Sequence, residues 1–323
     1  MSEVICVGSA AADLFATSHS KMLSLKKIEK CERVCIPIGS KTLLDHFTTL
    51  AGGSAINSST SLKRLGISSA ALCIIGPDIQ GKLVLDTLKK RRVKFIGKVK
   101  KGQTGASIIL SGPACDRVIL AYKGVNDCLE EKDFDWREKP KWFYFGSMLS
   151  KSLRTQFKIA KYARSHNIPL LYNPSLYVAE RGVKKLSTVL KATRILVLNL
   201  EEAQALIGKK YEEKRLIKEL SKISPIAIIT LGARGAISSD GTRAYKITPR
   251  KVKAVDTTGA GDAFASAFLA AIMRKKDIPT ALRWGCAQAQ SVISEHGATS
   301  NILNKNEIER AAKKAGRVEA ITC

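Results

Sequence analysis

The chain has 323 residues, 45% of them hydrophobic, and a formal net charge of +26. Length and composition exclude a minimal domain and a disordered polymer, and they allow one large α/β core with a smaller appendage. No run of 18 apolar residues occurs, so no membrane-spanning helix is expected. The eight cysteines lack CxxC or zinc-finger spacing, which points to a reduced, cytoplasmic setting and not to a disulfide framework.

The basic surplus is spread along the chain in helical-looking stretches such as Lys89-Lys90-Arg91-Arg92, and aromatics are only 6%. No stretch interleaves cations with aromatics as a single-strand groove does. A soluble cationic surface is expected, with no specific nucleic-acid partner. The start, Met1-Ser2-Glu3 and then Val4–Val7, carries an acid and an apolar run, so it reads as a first buried strand and not as a signal peptide.

Strands are expected at Val4–Val7, 70–75, Trp142–Phe145, Leu170–Tyr172, 195–198 and Ile226–Thr230. Helices are expected near 55–65, 80–91, 153–166, 201–207, 213–223, 262–275, 279–293 and 305–316. This alternation implies a parallel sheet covered on both faces. Two segments break it, 16–50 and 94–123, both strand-like and rich in turn residues. Within the second, 106–110 and 118–122 flank Ser111-Gly112-Pro113 as a hairpin. The core is therefore assigned to 1–15, 51–93 and 124–323, and 16–50 with 94–123 to a small β-sheet lid over a site.

The string with the most chemistry is Asp256-Thr257-Thr258-Gly259-Ala260-Gly261-Asp262-Ala263-Phe264, which opens a helical run. Gly259, Ala260 and Gly261 let the backbone turn tightly and present successive N–H groups, and the following helix aims its positive end at the same spot. That makes an anion hole for a transferring phosphoryl group. Asp262 at the helix start is placed to accept the proton of an acceptor hydroxyl. Taken alone, the same residues read as an ordinary N-cap on a glycine turn. No G-x-x-x-x-G-K-[ST] string occurs, which excludes a P-loop enzyme. No G-x-G-x-x-G follows the first strand, which argues against a dinucleotide enzyme.

The string resembles the C-terminal signature, DTxGAGD, of the ribokinase (PfkB) family of carbohydrate and nucleoside kinases, and the resemblance spans nearly the whole chain. It implies a ribokinase-like three-layer α/β sandwich with a mostly parallel central sheet and a β lid. The implied activity is ATP-dependent phosphorylation of a hydroxyl on a small carbohydrate, with a nucleoside as the alternative acceptor. A non-catalytic basic binding protein on the same scaffold stays open as the rival.

Gly52-Gly53-Ser54-Ala55-Ile56-Asn57 resembles the family's GGxxxN, where a diglycine admits a ligand close to the backbone and Asn57 offers a donor and an acceptor to sugar hydroxyls. Asp13, at the end of the first strand, falls where the family places a substrate-binding aspartate. The lid residues Arg117, Tyr122 and Lys123 resemble those with which some members reach their sugars, and Arg117 and Tyr122 are assigned to the substrate. Asn199-Leu200-Glu201-Glu202 resembles NxxE, in which Asn199 and Glu202 serve the Mg²⁺ and water around the phosphates, Glu202 through water. Thr230, Gly232 and Gly235 match the TxGxxG turn that lines the nucleotide, and Asn173-Pro174 resembles a further loop near the site.

The segment from Ser291 to Ala298 resembles the one that closes over the adenine, so His296 and Gly297 are assigned to the nucleotide. Members with a monovalent-cation site hold K⁺ near Asp256 and Thr258. Several members dimerise through the lid, so a homodimer is an expectation here. Members that act on ribose carry an asparagine where this chain has Ala11 and a lysine where it has Ser54. They also carry a glutamate in the mid-chain strand, and 142–148 has none. Each departure removes a polar partner for a ribose.

Overall fold

The computed structural model describes residues 2–18, 24–28, 31–36, 38–112 and 115–322. The chain enters through β1 (Val4–Val7) and continues into β2 (Ala11–Thr17), β3 (Ser24–Ile28), β4 (Cys31–Cys35) and β5 (His46–Gly52). Helix α1 (Ser54–Arg64), β6 (Ser69–Leu72), β7 (Ile74–Ile75) and α2 (Ile79–Lys90) follow, then β8 (Lys94–Phe95), β9 (Lys98–Val99), β10 (Gly105–Gly112) and β11 (Cys115–Tyr122). The second half runs β12 (Trp142–Phe145), α3 (Ser150–Ser165), β13 (Leu170–Tyr172), α4 (Leu176–Ala179), α5 (Gly182–Leu190), β14 (Thr193–Asn199), α6 (Leu200–Ile207), α7 (Glu213–Ser221) and β15 (Ile226–Thr230). It closes with β16 (Ala236–Ser239), β17 (Ala244–Pro249), α8 (Ala260–Met273), α9 (Ile278–Val292), α10 (Lys305–Ala312) and β18 (Gly316–Ile321).

The main sheet has the order β18-β17-β16-β15-β14-β13-β12-β1-β6-β8. It is parallel from β15 to β8 and antiparallel from β15 to β18. Period-two alternation sends its side chains into two cores. Ile5, Val7, Phe143, Phe145, Leu196 and Leu198 meet the helices α3 to α7. Val4, Cys6, Trp142, Tyr144, Ile195 and Val197 meet α1, α8, α9 and α10. Helices on both faces of a mostly parallel sheet make the expected three-layer α/β sandwich.

A second sheet, β11-β10-β2-β5, stands beside the first. The crossing from β1 to β2 is fixed by hydrogen bonds. The Ala55 N–H donates to Ser9 O at 3.1 Å, and the Asn126 amide clamps Ala10 with two bonds of 2.8 Å. The hairpin expected at 106–110 and 118–122 forms, with Ala106 opposite Tyr122 and Leu110 opposite Val118.

The structure differs from the sequence expectation in four places. Asp13 does not end the first strand but lies mid-strand in β2, because the chain leaves the main sheet at Gly8–Ala10. Residues 94–99 pair with the core strands β6 and β7, drawn there by Phe95 packing on the Val84, Leu88 and Val93 cluster. The last helix stops at Ala312, and Gly316 opens an edge strand on β17. Helix α5 and the antiparallel pair β16–β17 carry short apolar patterns that the sequence reading left as loop.

Candidate active site

The carboxyl ends of β1, β12, β13, β14 and β15 face one crevice, the usual ligand position in a parallel α/β sheet. Gly8 and Gly146 end two of these strands, and a Cβ at either would overlap the Ser54 hydroxyl. That closeness lets the start of α1 lie across both strand ends, with Asn57 one turn inside the helix.

Helix α8 begins on the opposite wall. Gly259 is its N-cap at φ 75°, a left-handed conformation that favours glycine, and a Cβ there would overlap Ala298. Gly261 differs, because its Cβ would meet nothing within 4 Å. Its missing side chain leaves room for a ligand at the first turn of α8, where N–H groups lack intrahelical acceptors.

Asp262 stands in that first turn and is gripped on both oxygens. The Asn57 amide donates to Oδ2 at 2.9 Å, and the Tyr144 phenol donates to Oδ1 at 3.0 Å. Burial pushes its carboxyl up to about 6, against the lowering effect of these two donors. A base with that affinity is mostly ionised at neutral pH yet still avid for a proton. The Asn57 Oδ1 is buried without a hydrogen-bond partner, the arrangement expected of an acceptor that awaits a substrate hydroxyl.

Asp13 is 6% exposed and also pushed up to about 6, by burial first and then by the charges of Asp256 and Asp262, while a hydrogen bond from Ser107 opposes them. The diglycine works differently from the sequence expectation. A Cβ on Gly52 would overlap the Asp13 carboxylate, and one on Gly53 (φ 93°) would press on the Ser9–Ala10 backbone. Both glycines make room for the protein itself.

Thr230, Gly232 and Gly235 line one cavity of about 500 Å³ with Ala260, Gly261 and Phe264, closed by Cys286, Ala289 and Ile293. The TxGxxG turn and the α8 loop thus share a mostly apolar pocket sized for a base and sugar, with the N-terminus of α8 at its mouth. Asn199 and Glu202 form a capping box at α6. The Glu202 N–H donates to Asn199 Oδ1 and the Asn199 N–H to Glu202 Oε2, each at 2.8 Å. Burial pushes Glu202 up to about 7. Asn199 pairs with Thr230 in the sheet, so the box adjoins the 500 Å³ cavity that Thr230 lines.

The Asp256 carboxylate accepts from Thr258 N, Thr258 Oγ1 and Gly297 N at 2.9, 2.7 and 3.1 Å. It staples the α8 loop to the 297 turn. Gly297, at φ 94° with Leu50 where a Cβ would stand, reverses the chain there.

Two assignments are corrected. His296, expected at the adenine, is turned away from the 500 Å³ cavity by the Gly297 reversal. It lines a smaller cavity with Phe15, Arg117 and Thr257 and stacks on His46 at 5.4 Å. Tyr122, expected at the substrate, is on the wrong face of the lid. Asp13 is in register with Ser107, and Ser107 with Ala121, so the adjacent Tyr122 points to the other side and is 55% exposed. Arg117 stands on the Asp13 side. The sequence reading missed Tyr144, Ser107, Phe15 and His46. Tyr144 had one signal, its place two residues after Trp142 on an alternating strand.

The same chain matches known proteins over nearly all its length. The model of the pfkB family carbohydrate kinases matches residues 1–306. An uncharacterized sugar kinase of Archaeoglobus fulgidus is 30% identical over 250 residues, 75% of this chain and 97% of that protein. The ribokinase of Bacillus subtilis is 28% identical over 316 residues, 96% of this chain and 99% of that one. The structure of Arabidopsis thaliana ribokinase complexed with ribose and ATP superimposes with a TM-score of 0.79 at 19% identity, over 97% of this chain and 99% of that one. With the ribokinase-like fold and the α8 glycine loop in place, the chain belongs to the pfkB family of carbohydrate kinases, phosphotransferases that act on hydroxyl groups.

Proposed function

We propose that this kinase transfers the γ-phosphoryl group of ATP to a hydroxyl of a small carbohydrate, with Asp262 as the base that takes the hydroxyl proton. The observation that carries the reading is the Asp262 carboxylate, held by Asn57 and Tyr144 at the N-terminus of α8. Asn57 and Asp13 bind acceptor hydroxyls. The N–H groups at Gly259, Ala260 and Gly261 stabilise charge on the phosphoryl oxygens. Thr230, Gly232 and Gly235 flank the nucleotide in the 500 Å³ cavity.

The residues present fit Mg²⁺ held mainly by water and phosphate. Among the described residues no group of three or more His, Cys, Asp or Glu could hold a metal, so a full protein cage is not offered. One nearby carboxylate, Glu202, suits an ion that keeps its waters. Bound there, Mg²⁺ neutralises phosphate charge. The rigid Asp256 staple favours a K⁺ site on the carbonyls of Asp256 and Thr258.

The second sheet, β11-β10-β2-β5, acts as a lid that excludes water from the transfer. Its far face exposes Phe47, Ile108, Leu120 and Tyr122, and we assign it to a second copy of the chain. Cys6, Cys73 and Cys286 are buried free thiols, which suits a reducing compartment such as the cytoplasm. Among the described residues no helix is long and apolar enough to cross a membrane.

The test is ADP release from Mg-ATP with a panel of sugars, sugar derivatives and nucleosides. Acceptor-dependent release with formation of a phosphate ester is the expected result. Nucleosides turning over faster than every sugar would move the assignment to a nucleoside kinase.

A further inference from the structure

We propose that Gln290 selects the phosphoryl donor: its side-chain oxygen accepts a hydrogen bond from the 6-amino group of adenine, and the cavity discriminates against 6-oxo purines. The proposal rests on the kinase reading above and deepens its nucleotide site.

The walls of the 500 Å³ cavity give it a direction. Thr257, Ala260 and Gly261 mark the phosphate end, at the N-terminus of α8. Helix α9 supplies a facing wall through Cys286, Ala289, Gln290 and Ile293, a spacing that sets them on one helix face. Ile293 is the member nearest the phosphates, because its carbonyl accepts from Val255 N at 2.7 Å and Asp256 N at 3.3 Å. Gln290 stands one turn earlier, about 4.5 Å back along the helix axis, on the side where the base lies.

Gln290 is held in one orientation. Its Nε2 donates to Arg250 O at 2.9 Å and to Ala315 O at 3.1 Å. Both amide protons are thereby used. A flipped amide would set Oε1 against the same two carbonyl oxygens with no proton between them, so the flip is excluded. The grip is itself anchored, since Arg250 N donates to Ala315 O at 3.0 Å and joins the two segments that carry these carbonyls. A freely turning glutamine offers either a donor or an acceptor and reads neither base. This one offers a ligand only an acceptor.

The 6-amino group of adenine is the donor that matches it. A 6-oxo purine sets acceptor against acceptor, and in a mostly apolar cavity a polar group left unpaired is costly. The other polar groups on these walls are turned elsewhere. Thr230 Oγ1 donates to Leu198 O at 3.4 Å, and Cys286 Sγ donates to Ala315 O at 3.6 Å. Arg250 and Lys251 are exposed, so their charged heads keep their water.

Two measurements test this. The first compares kcat/KM for ATP, ITP and purine riboside triphosphate with the best acceptor of the panel, each followed as phosphate ester formed. ITP carries a 6-oxo group in place of the amine, and the riboside carries neither. ATP should lead ITP by at least about tenfold, with the unsubstituted purine between them. Gln290→Met keeps the length of the side chain and removes the acceptor, so ATP and ITP should then come within about twofold of each other. A loss of structure alone would lower both donors together and leave their ratio standing. ITP that matches ATP in the native enzyme, or a ratio untouched in Gln290→Met, would overturn the proposal and leave the kinase reading in place.

The second measurement needs neither an acceptor nor a variant. Calorimetric titration of the native chain with ADP and with IDP should give a Kd at least about tenfold lower for ADP. Equal affinities would overturn the proposal, and binding of neither would remove the nucleotide from this cavity and the proposal with it. If no hydroxyl compound stimulates ADP release, the kinase reading falls, and this titration still decides whether the cavity reads the amine.

Discussion

Tyr144 is completely buried and places its phenol 3.0 Å from one oxygen of Asp262, while Asn173 Oδ1 lies farther off at 3.4 Å. The shorter contact takes the single phenolic proton, so Tyr144 orients the carboxylate and favours its ionised form. Burial and the neighbouring Asp262 charge raise the Tyr144 hydroxyl well above its ordinary value, so it stays a donor throughout the working pH range.

Tyr144→Phe removes this donor and keeps the ring that fills the α8 core. The Asp262 carboxyl should rise further, so the acid limb of the kcat profile should move from near pH 6 to higher pH. At pH 6 turnover should fall by about tenfold, with little change in the acceptor KM. A pH–rate profile checks this, and an unshifted limb would show that the phenol does not act on the base.

Gly52→Ala places a methyl group on the Asp13 carboxylate. Asp13 must then leave its Ser107 partner, and acceptor binding should weaken. KM for the acceptor should rise by about tenfold or more while KM for ATP stays within about twofold, since Gly52 does not line the 500 Å³ cavity proposed for the nucleotide. Steady-state kinetics with each substrate varied in turn makes the check.

The site is built at a cost in stability. Asp13 and Asp262 are pushed up to about 6 and Glu202 to about 7, so the folded state holds their protons more tightly than the unfolded chain does. Their contribution is fully present below about pH 4 and is lost as pH rises through 6 to 7. Asp262→Asn should therefore raise Tm by a few degrees at pH 7, with the gain disappearing toward pH 4. Thermal melts of both proteins across that range measure it.

The outer lid face offers a separate test. Phe47 is 57% and Leu120 61% exposed, on strands whose other face covers the site. Leu120→Lys should shift the chain from dimer to monomer in light scattering while leaving the Asp262 pocket in place. A wild-type chain that is already monomeric at high concentration would remove the proposed pairing.

The legible parts of the molecule were those fixed by local chemistry. The α8 glycines, Asn57 and Asp262 stand in one short pattern each, and apolar runs such as Trp142–Phe145 are buried whatever surrounds them. What escaped depends on register or on distant neighbours. The side taken by Tyr122 follows only from its pairing with Ala106. The direction of His296 follows from the reversal at Gly297, which needs Leu50 and Asp256 to hold it. Tyr144 reads as plain core until α8 is known to cover its face of the sheet.

The central claim is that Asp262 takes the acceptor proton during phosphoryl transfer. Asp262→Asn keeps the size of the side chain and its contact with Asn57, so fold and nucleotide binding should persist. Turnover with the best acceptor should fall by roughly 10²–10⁴-fold, the usual worth of a positioned base, with KM for ATP nearly unchanged. The direct measurement is kcat of this variant beside the native enzyme under saturating ATP and acceptor. A fall of that size is the expected result, and turnover at the native rate would contradict the assignment of Asp262 as the base.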